Sequence, residues 1–226
     1  MKTYRLFKFA SVLLLAGLLA GFTGCATRGY HTGERTAANL QALATKVEMA
    51  GRQMDIAVTE LDSLVNSPQP DLRPQFDRFS AAVGQLNTLA TNLAKAGAAL
   101  QARSKLHAEN WDKELATIQN EEIRASAQAR KQEVASRFDN VRTACQSVQA
   151  AVVPVQSDLR DVQSYLNSDL TMGGLSAIKD TATRVGRNAA PARESVAKLV
   201  SELRALGVAM APQNSAAPAA ASGSAK

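Results

Sequence analysis

From Leu40 to Met210 the apolar or small residues recur at alternating steps of three and four, with mostly polar side chains between them. The first stripe is Leu40, Leu43, Val47, Ala50, Met54, Ala57, Leu61 and Leu64, and "NSPQPD" (66–71) interrupts it with two prolines. A second stripe runs Leu72, Phe76, Phe79, Val83, Leu86, Ala90, Leu93, Gly97 and Leu100. Pro74 falls in its first turn, where a helix loses nothing by a missing N–H. The third runs Val134, Phe138, Val141, Cys145, Val148, Val152, Val155, Leu159, Val162 and Leu166. After "TMGG" (171–174), a fourth runs Leu175, Ile178, Ala182, Val185, Ala189, Ala192, Val196, Leu199, Leu203, Leu206 and Met210. This spacing makes one side of each helix apolar, whereas a half-buried strand would alternate every second residue. The chain is predicted to be all-α.

The stretch between the second and third stripes contains neither Gly nor Pro, and its apolar line continues through Ser104, His107, Trp111, Leu115, Ile118, Ile123 and Ala127. Two successive steps of four meet at Trp111, a shift that locally unwinds a supercoil. One helix over residues 71–170 would be about 150 Å long, and flanking helices of about 45–55 Å would leave most of it uncovered. The alternative to that single helix is a reversal at Asn120, a residue able to end a helix in the left-handed conformation. With the reversal, the expected fold is an antiparallel four-helix bundle of long helices. Helices 2 and 3 extend beyond it as a projecting coiled-coil hairpin over roughly 101–137. Pro154 and Pro191 lie inside stripes that keep their register, so each predicts a kink.

Ahead of these stripes stands "MKTYRLFK", with Lys2, Arg5 and Lys8 and no acid, followed by "FASVLLLAGLLAGF". A basic start, a short apolar core and small residues are the layout of a secretory signal peptide. The apolar run holds about 14 residues, too few for the roughly 20 that cross a bilayer. Its exit, Phe22-Thr23-Gly24-Cys25, resembles the lipobox of bacterial lipoproteins, although Phe22 stands where Leu is usual. The resemblance implies cleavage before Cys25 and acylation of Cys25. Several acyl chains anchor firmly, because each buried methylene contributes about 0.8 kcal/mol. Ala26, rather than the aspartate that retains enteric lipoproteins at the inner membrane, follows the cysteine. The implied address is the periplasmic face of the outer membrane. The organisation expected is a signal peptide over 1–24, a flexible tether over 25–35, the helical bundle and hairpin over 36–210, and a disordered tail over 211–226.

The chain carries 26 Lys+Arg against 20 Asp+Glu, a formal charge of +6. Half of that excess sits on Lys2, Arg5 and Lys8, and the rest is interspersed along the helices, which argues against a nucleic-acid partner. Cys25 and Cys145 are the two cysteines. If Cys25 is acylated no internal disulfide can form, and Cys145 falls in an apolar stripe as a small core residue.

Neither histidine, His31 or His107, has the spacing of a bundle metal site, and no phosphate loop or nucleophile motif is present. No cofactor, no metal and no catalytic residue is expected. The turn between helices 2 and 3, with Asn120, Glu121, Glu122 and Arg124, is the candidate interaction tip.

Residues 43–64, 111–138 and 153–170 resemble a bacterial domain family of unknown function whose members are helical, coiled-coil-like and often lipoproteins. Trp111-x-x-Glu114-Leu115, Asn120-x-x-Ile123-Arg124, Pro154 and Tyr165-Leu166 carry the likeness. The resemblance spans roughly 40–208 and implies fold and location but no activity. The tail "APQNSAAPAAASGSAK" ends on Lys226. In that it resembles small enteric lipoproteins whose terminal lysine is joined to peptidoglycan, which implies cell-wall attachment through Lys226.

The sequence thus leads to a non-enzymatic envelope lipoprotein. It would be held in the membrane by acylated Cys25 and act as a periplasmic spacer or a scaffold for another envelope protein. The alternative is a carrier that binds a lipid or other apolar ligand between its helices. Cys25→Ser is expected to release the protein from membranes. Fractionation in high salt tests this, and a variant that stays membrane-bound would refute acylation.

Overall fold

The computed structural model describes the backbone of residues 26–211 and the side chains of residues 33–211. It consists of four helices: α1 (Ala26–Asn66), α2 (Arg73–Thr117), α3 (Glu121–Ser168) and α4 (Met172–Met210). Among the described residues there is no strand. The chain reverses between Thr117 and Glu121, so helices 2 and 3 are separate. Each neighbours the next around the bundle, with α4 closing on α1.

Each connection has its own chemistry. Between α1 and α2 the side chain of Gln75, 3% exposed, serves as a buried peg. Its amide nitrogen donates to the carbonyls of Ser63 (3.3 Å) and Ser67 (3.0 Å), and its Oε1 accepts from the Gln69 N–H (2.8 Å). The Ser63 carbonyl also accepts the last helical bond of α1, from the Ser67 N–H (3.0 Å), while the Ser67 carbonyl and the Gln69 N–H belong to the loop, beyond the reach of helical partners. Between α3 and α4, Thr171 caps the helix by accepting from the Gly174 N–H (3.1 Å) and donates to Asp169 (2.7 Å).

"TMGG" is therefore not the break itself: the helix begins at Met172, and residues 169–171 make the turn. A Cβ on Gly174 would lie 2.1 Å from the Asp169 carbonyl oxygen, so this close approach admits only glycine. At the middle turn the expected left-handed Asn120 is not found. Asn120 has φ −74° and ψ 121° and caps the start of α3, its side chain accepting from the Ile123 N–H (3.0 Å). The short polar side chain is used as a cap rather than for its tolerance of positive φ.

Two further expectations change. The helix starts at Ala26, so the stretch 25–35 expected as a tether is helical from its second residue onward. No proline interrupts it, and α4 packs beside it, a Cβ on Gly33 falling 3.0 Å from the Met210 carbonyl. Arg130 of α3 donates to the carbonyl of Ala209, so α4 accompanies the hairpin up to that level and 101–137 is too long for its free part. Helices α3 and α4 continue through Pro154 and Pro191.

The interior falls into two clusters. The lower one takes side chains from all four helices, including Met54 and Leu61 of α1, Phe79 and Leu86 of α2, Leu159 of α3, and Val185 and Ala192 of α4. The upper one is built from Leu40, Ala44 and Val47 of α1, Val141 and Ala144 of α3, and Leu199, Leu203 and Leu206 of α4. There α2 contributes only the partly buried Leu93 and Leu100. Between Leu86 and Leu115 no side chain of α2 is fully buried. The bundle thus passes from four packed helices below to three above, with α2 lying at the edge.

Polar ties fix how the helices are staggered. Arg184 grips Asp158 with two hydrogen bonds of 2.9 Å, Arg193 pairs with Asp55 at 2.6 Å, and Arg204 with Glu48 at 3.0 Å. Gln53 donates to the Ala82 carbonyl and Gln156 to Asn87. In each pair of helices the partner number falls as the residue number rises. The α1–α4 seam is close: a Cβ on Gly51 would stand 2.9 Å from Val196 Cγ1.

Gln75→Leu, similar in size but unable to hydrogen-bond, is expected to cost about 1–3 kcal/mol by removing the part-buried bonds to the Ser67 carbonyl and the Gln69 N–H. Gly84→Ala, in an exposed stretch of helix with nothing within 4 Å of the new Cβ, is expected to add about 0.5–1 kcal/mol. Urea unfolding of both variants tests the assignment, and the opposite order would refute it.

Candidate functional site

The α2–α3 turn divides the four candidate residues into two kinds. Asn120 and Arg124 hold the turn together. The Asn120 carbonyl accepts from the Arg124 N–H (3.0 Å), and the Arg124 guanidinium folds back onto the Ile118 carbonyl, Nε at 2.9 Å. Thr117 Oγ1 donates to the Glu114 carbonyl (2.7 Å), finishing α2. Glu121 and Glu122 occupy the first turn of α3, where the helix dipole favours negative charge. Both are exposed and neither pairs with a described residue. Ile123 beside them is 58% exposed. The tip therefore shows solvent two acids and an aliphatic side chain on a turn pinned from behind.

The tip shares its end of the bundle with the start of α1. Gly33 meets Met210, and Ala209 meets Arg130. From Arg130 the hairpin rises about 15 Å to its turn, and from Gly33 α1 rises about 10 Å to Ala26. Cys25 and Lys226 themselves lie outside the described residues.

Below the tip, α2 and α3 are joined by an ion pair of Lys131 with Asp112 and by an aromatic group. His107 meets Trp111 edge-on at 5.2 Å between ring centroids, and Phe138 of α3 lies 6.4 Å from it. His107 is half-buried, and its Nε2 is buried without a hydrogen-bond partner. Burial pushes its pKa below the usual value, partly offset by Glu114. Nearby, hydrogen bonds from Arg130 and Arg137 hold the Glu133 carboxyl below its usual range. Cys145 is half-buried in the upper cluster, and burial pushes its thiol up, which disfavours the reactive thiolate.

A groove of about 700 Å³ lies between α1 and α2, lined by Met49, Gln53 and Ile56 on one side and Gly84 and Leu89 on the other. It opens outward. The seam residues behind it, Met54 and Ala57, are buried. Among the described residues no group of three or more His, Cys, Asp or Glu is placed to hold a metal ion. No described helix is long and apolar enough to cross a membrane.

The tip was legible in the sequence because two helical stripes had to be separated somewhere near it. Gln75 was not: it follows a proline and breaks no periodicity, so only the folded geometry reveals it as a peg.

No curated protein and no solved structure matches the chain. A model of a family described as a protein of unknown function (DUF2959) matches residues 22–206, and the chain belongs to that family.

Proposed function

We propose that the protein is a non-enzymatic lipoprotein of the bacterial envelope, a scaffold that stands a helical rod on the membrane holding acylated Cys25. In this reading the four helices run antiparallel, as the opposed numbering of their polar ties supports, and α2 and α3 continue past α4 as a short coiled-coil hairpin. The periplasmic face of the outer membrane is the proposed site. With Cys25 one residue before α1, the hairpin tip lies toward the anchoring membrane. The turns at 67–72 and 169–171 stand about 60 Å away, the length of the helices.

The observation that carries the reading is the tip itself. Asn120 and Arg124 are spent on rigidity, while Glu121, Glu122 and Ile123 are left facing outward. A rigid turn with unpaired carboxylates beside an aliphatic side chain suits a protein partner at the membrane surface. Anionic headgroups would repel it. A carrier role has only the outer α1–α2 groove to support it, and a ligand there would stay largely open to water, unlike the 70–90% enclosure of typical sites. Attachment of Lys226 to peptidoglycan is compatible with this scaffold and rests on the sequence resemblance alone.

A photo-crosslinking residue at Gln119 in living cells is expected to capture one discrete partner, and the same residue at Gln69 is not. Glu121→Lys combined with Glu122→Lys should reduce that capture at least about tenfold, as for loss of a central charged contact. Thermal stability should change by no more than about 0.5 kcal/mol, as for exposed sites. Undiminished capture with the charge-reversed tip would refute the interaction site.

A further inference from the structure

Its aromatic contacts and position make His107 the one described group able to change charge near neutral pH inside a helix interface. It sits on the part of α2 that no fully buried side chain secures, between Leu86 and Leu115. Its ring neighbours, Trp111 one turn along α2 and Phe138 across the interface on α3, are aromatic rather than acceptors. A neutral imidazole can leave one nitrogen unpaired there at modest cost, whereas an imidazolium would bring a buried N–H donor and a charge with nothing to receive them.

The surrounding charges do not relieve this. Glu114, on the same helix, acts on the ring but does not outweigh the burial. On α3, Glu133 is engaged by Arg130 and Arg137, and Asp139 pairs with Arg142. At this end of the bundle α1 carries Glu34 and Arg35.

We propose that His107 is a proton-operated latch: mild acid releases the upper half of α2 from α3 while the lower bundle stays folded. The direction follows from linkage. A histidine favoured as the neutral form in the packed state gives its full stabilisation above the unfolded value of about 6.5, and that stabilisation is lost as pH falls below it. The lower cluster, with four helices interlocked around Phe79, Leu159 and Leu166, holds no ionisable group of this kind and keeps its packing. The upper core of α1, α3 and α4 also persists, because α2 contributes only its edge. The latch depends on the fold alone and stands whether or not the chain is acylated.

Trp111 is the only tryptophan, and it touches the ring in question, so its fluorescence reports the titration directly. In the full chain a transition is expected between pH 8 and pH 5 with its midpoint below 6.5, and it should vanish in His107→Gln. Amide exchange, corrected for its intrinsic pH dependence, should quicken at least about threefold at low pH across residues 90–117, with little change across 54–86 and 155–166. His107→Gln should remove that pH dependence. Three results would each overturn the latch. One is a midpoint at or above 6.5, meaning that the aromatic faces welcome the cation. The others are equal acceleration throughout the bundle and an acid response that survives in His107→Gln.

Discussion

Helix α4 packs against both α1 and α3 along its whole length, and the molecule's shape depends on that single stripe. Leu175, Ile178, Val185, Ala189, Ala192, Leu199, Leu203 and Leu206 come from one side of one helix, and they reach into both core clusters. Burial of such a stripe contributes roughly 1.5–3 kcal/mol for each large aliphatic side chain, far more than the helix propensity of its residues. Three arginines at 184, 193 and 204 fasten its flanks to Asp158, Asp55 and Glu48. These exposed pairs add little stability but penalise a shift of register. Where α4 ends, beside Arg130, the covered part of the hairpin ends too.

Helix α2 is the counterpart. Below Leu86 it is locked in by Phe76, Phe79 and Val83, and by the Gln75 peg at its start. Above Leu86 its line passes through Ala90, Leu93, Gly97, Leu100 and Ser104, residues too small or too few to fill a four-helix interior. The consequence is an unequal rod: a four-helix base, and an upper stretch of α2 held only by partly buried side chains, the His107–Trp111–Phe138 group and a few polar ties. Local opening is drawn from regions with sparse burial. The tip is placed at the end of that less secured element, so its position is coupled to whether α2 lies against α3.

The shared end of α1's start and the α2–α3 turn is a topological consequence of four helices joined by short connections. An odd connection, the first or the third, lies at one end; the middle connection and both termini lie at the other. In the proposed antiparallel arrangement, a hairpin extended past α4 points toward the end at which α1 begins. For the proposed spacer, the end away from the start of α1 is the pair of turns at 67–72 and 169–171.

Helix content, the separation into four stripes and the core faces were set by the three-four recurrence alone, since 3.6 residues per turn leaves few other ways to gather Leu40 to Leu206 on buried sides. The reversal near Asn120 followed from length, because a 150 Å helix would find no cover. Local sequence did not decide how Asn120 is used, since the same short amide can cap a helix start or tolerate a left-handed end. Only the path of α3 selects the cap. Nor could periodicity show Gln75 as a peg, Gly174 as a point of close approach to Asp169, or His107 without an acceptor. Each depends on which atoms of a distant or reversing segment arrive within a few ångströms, and that is fixed by tertiary packing.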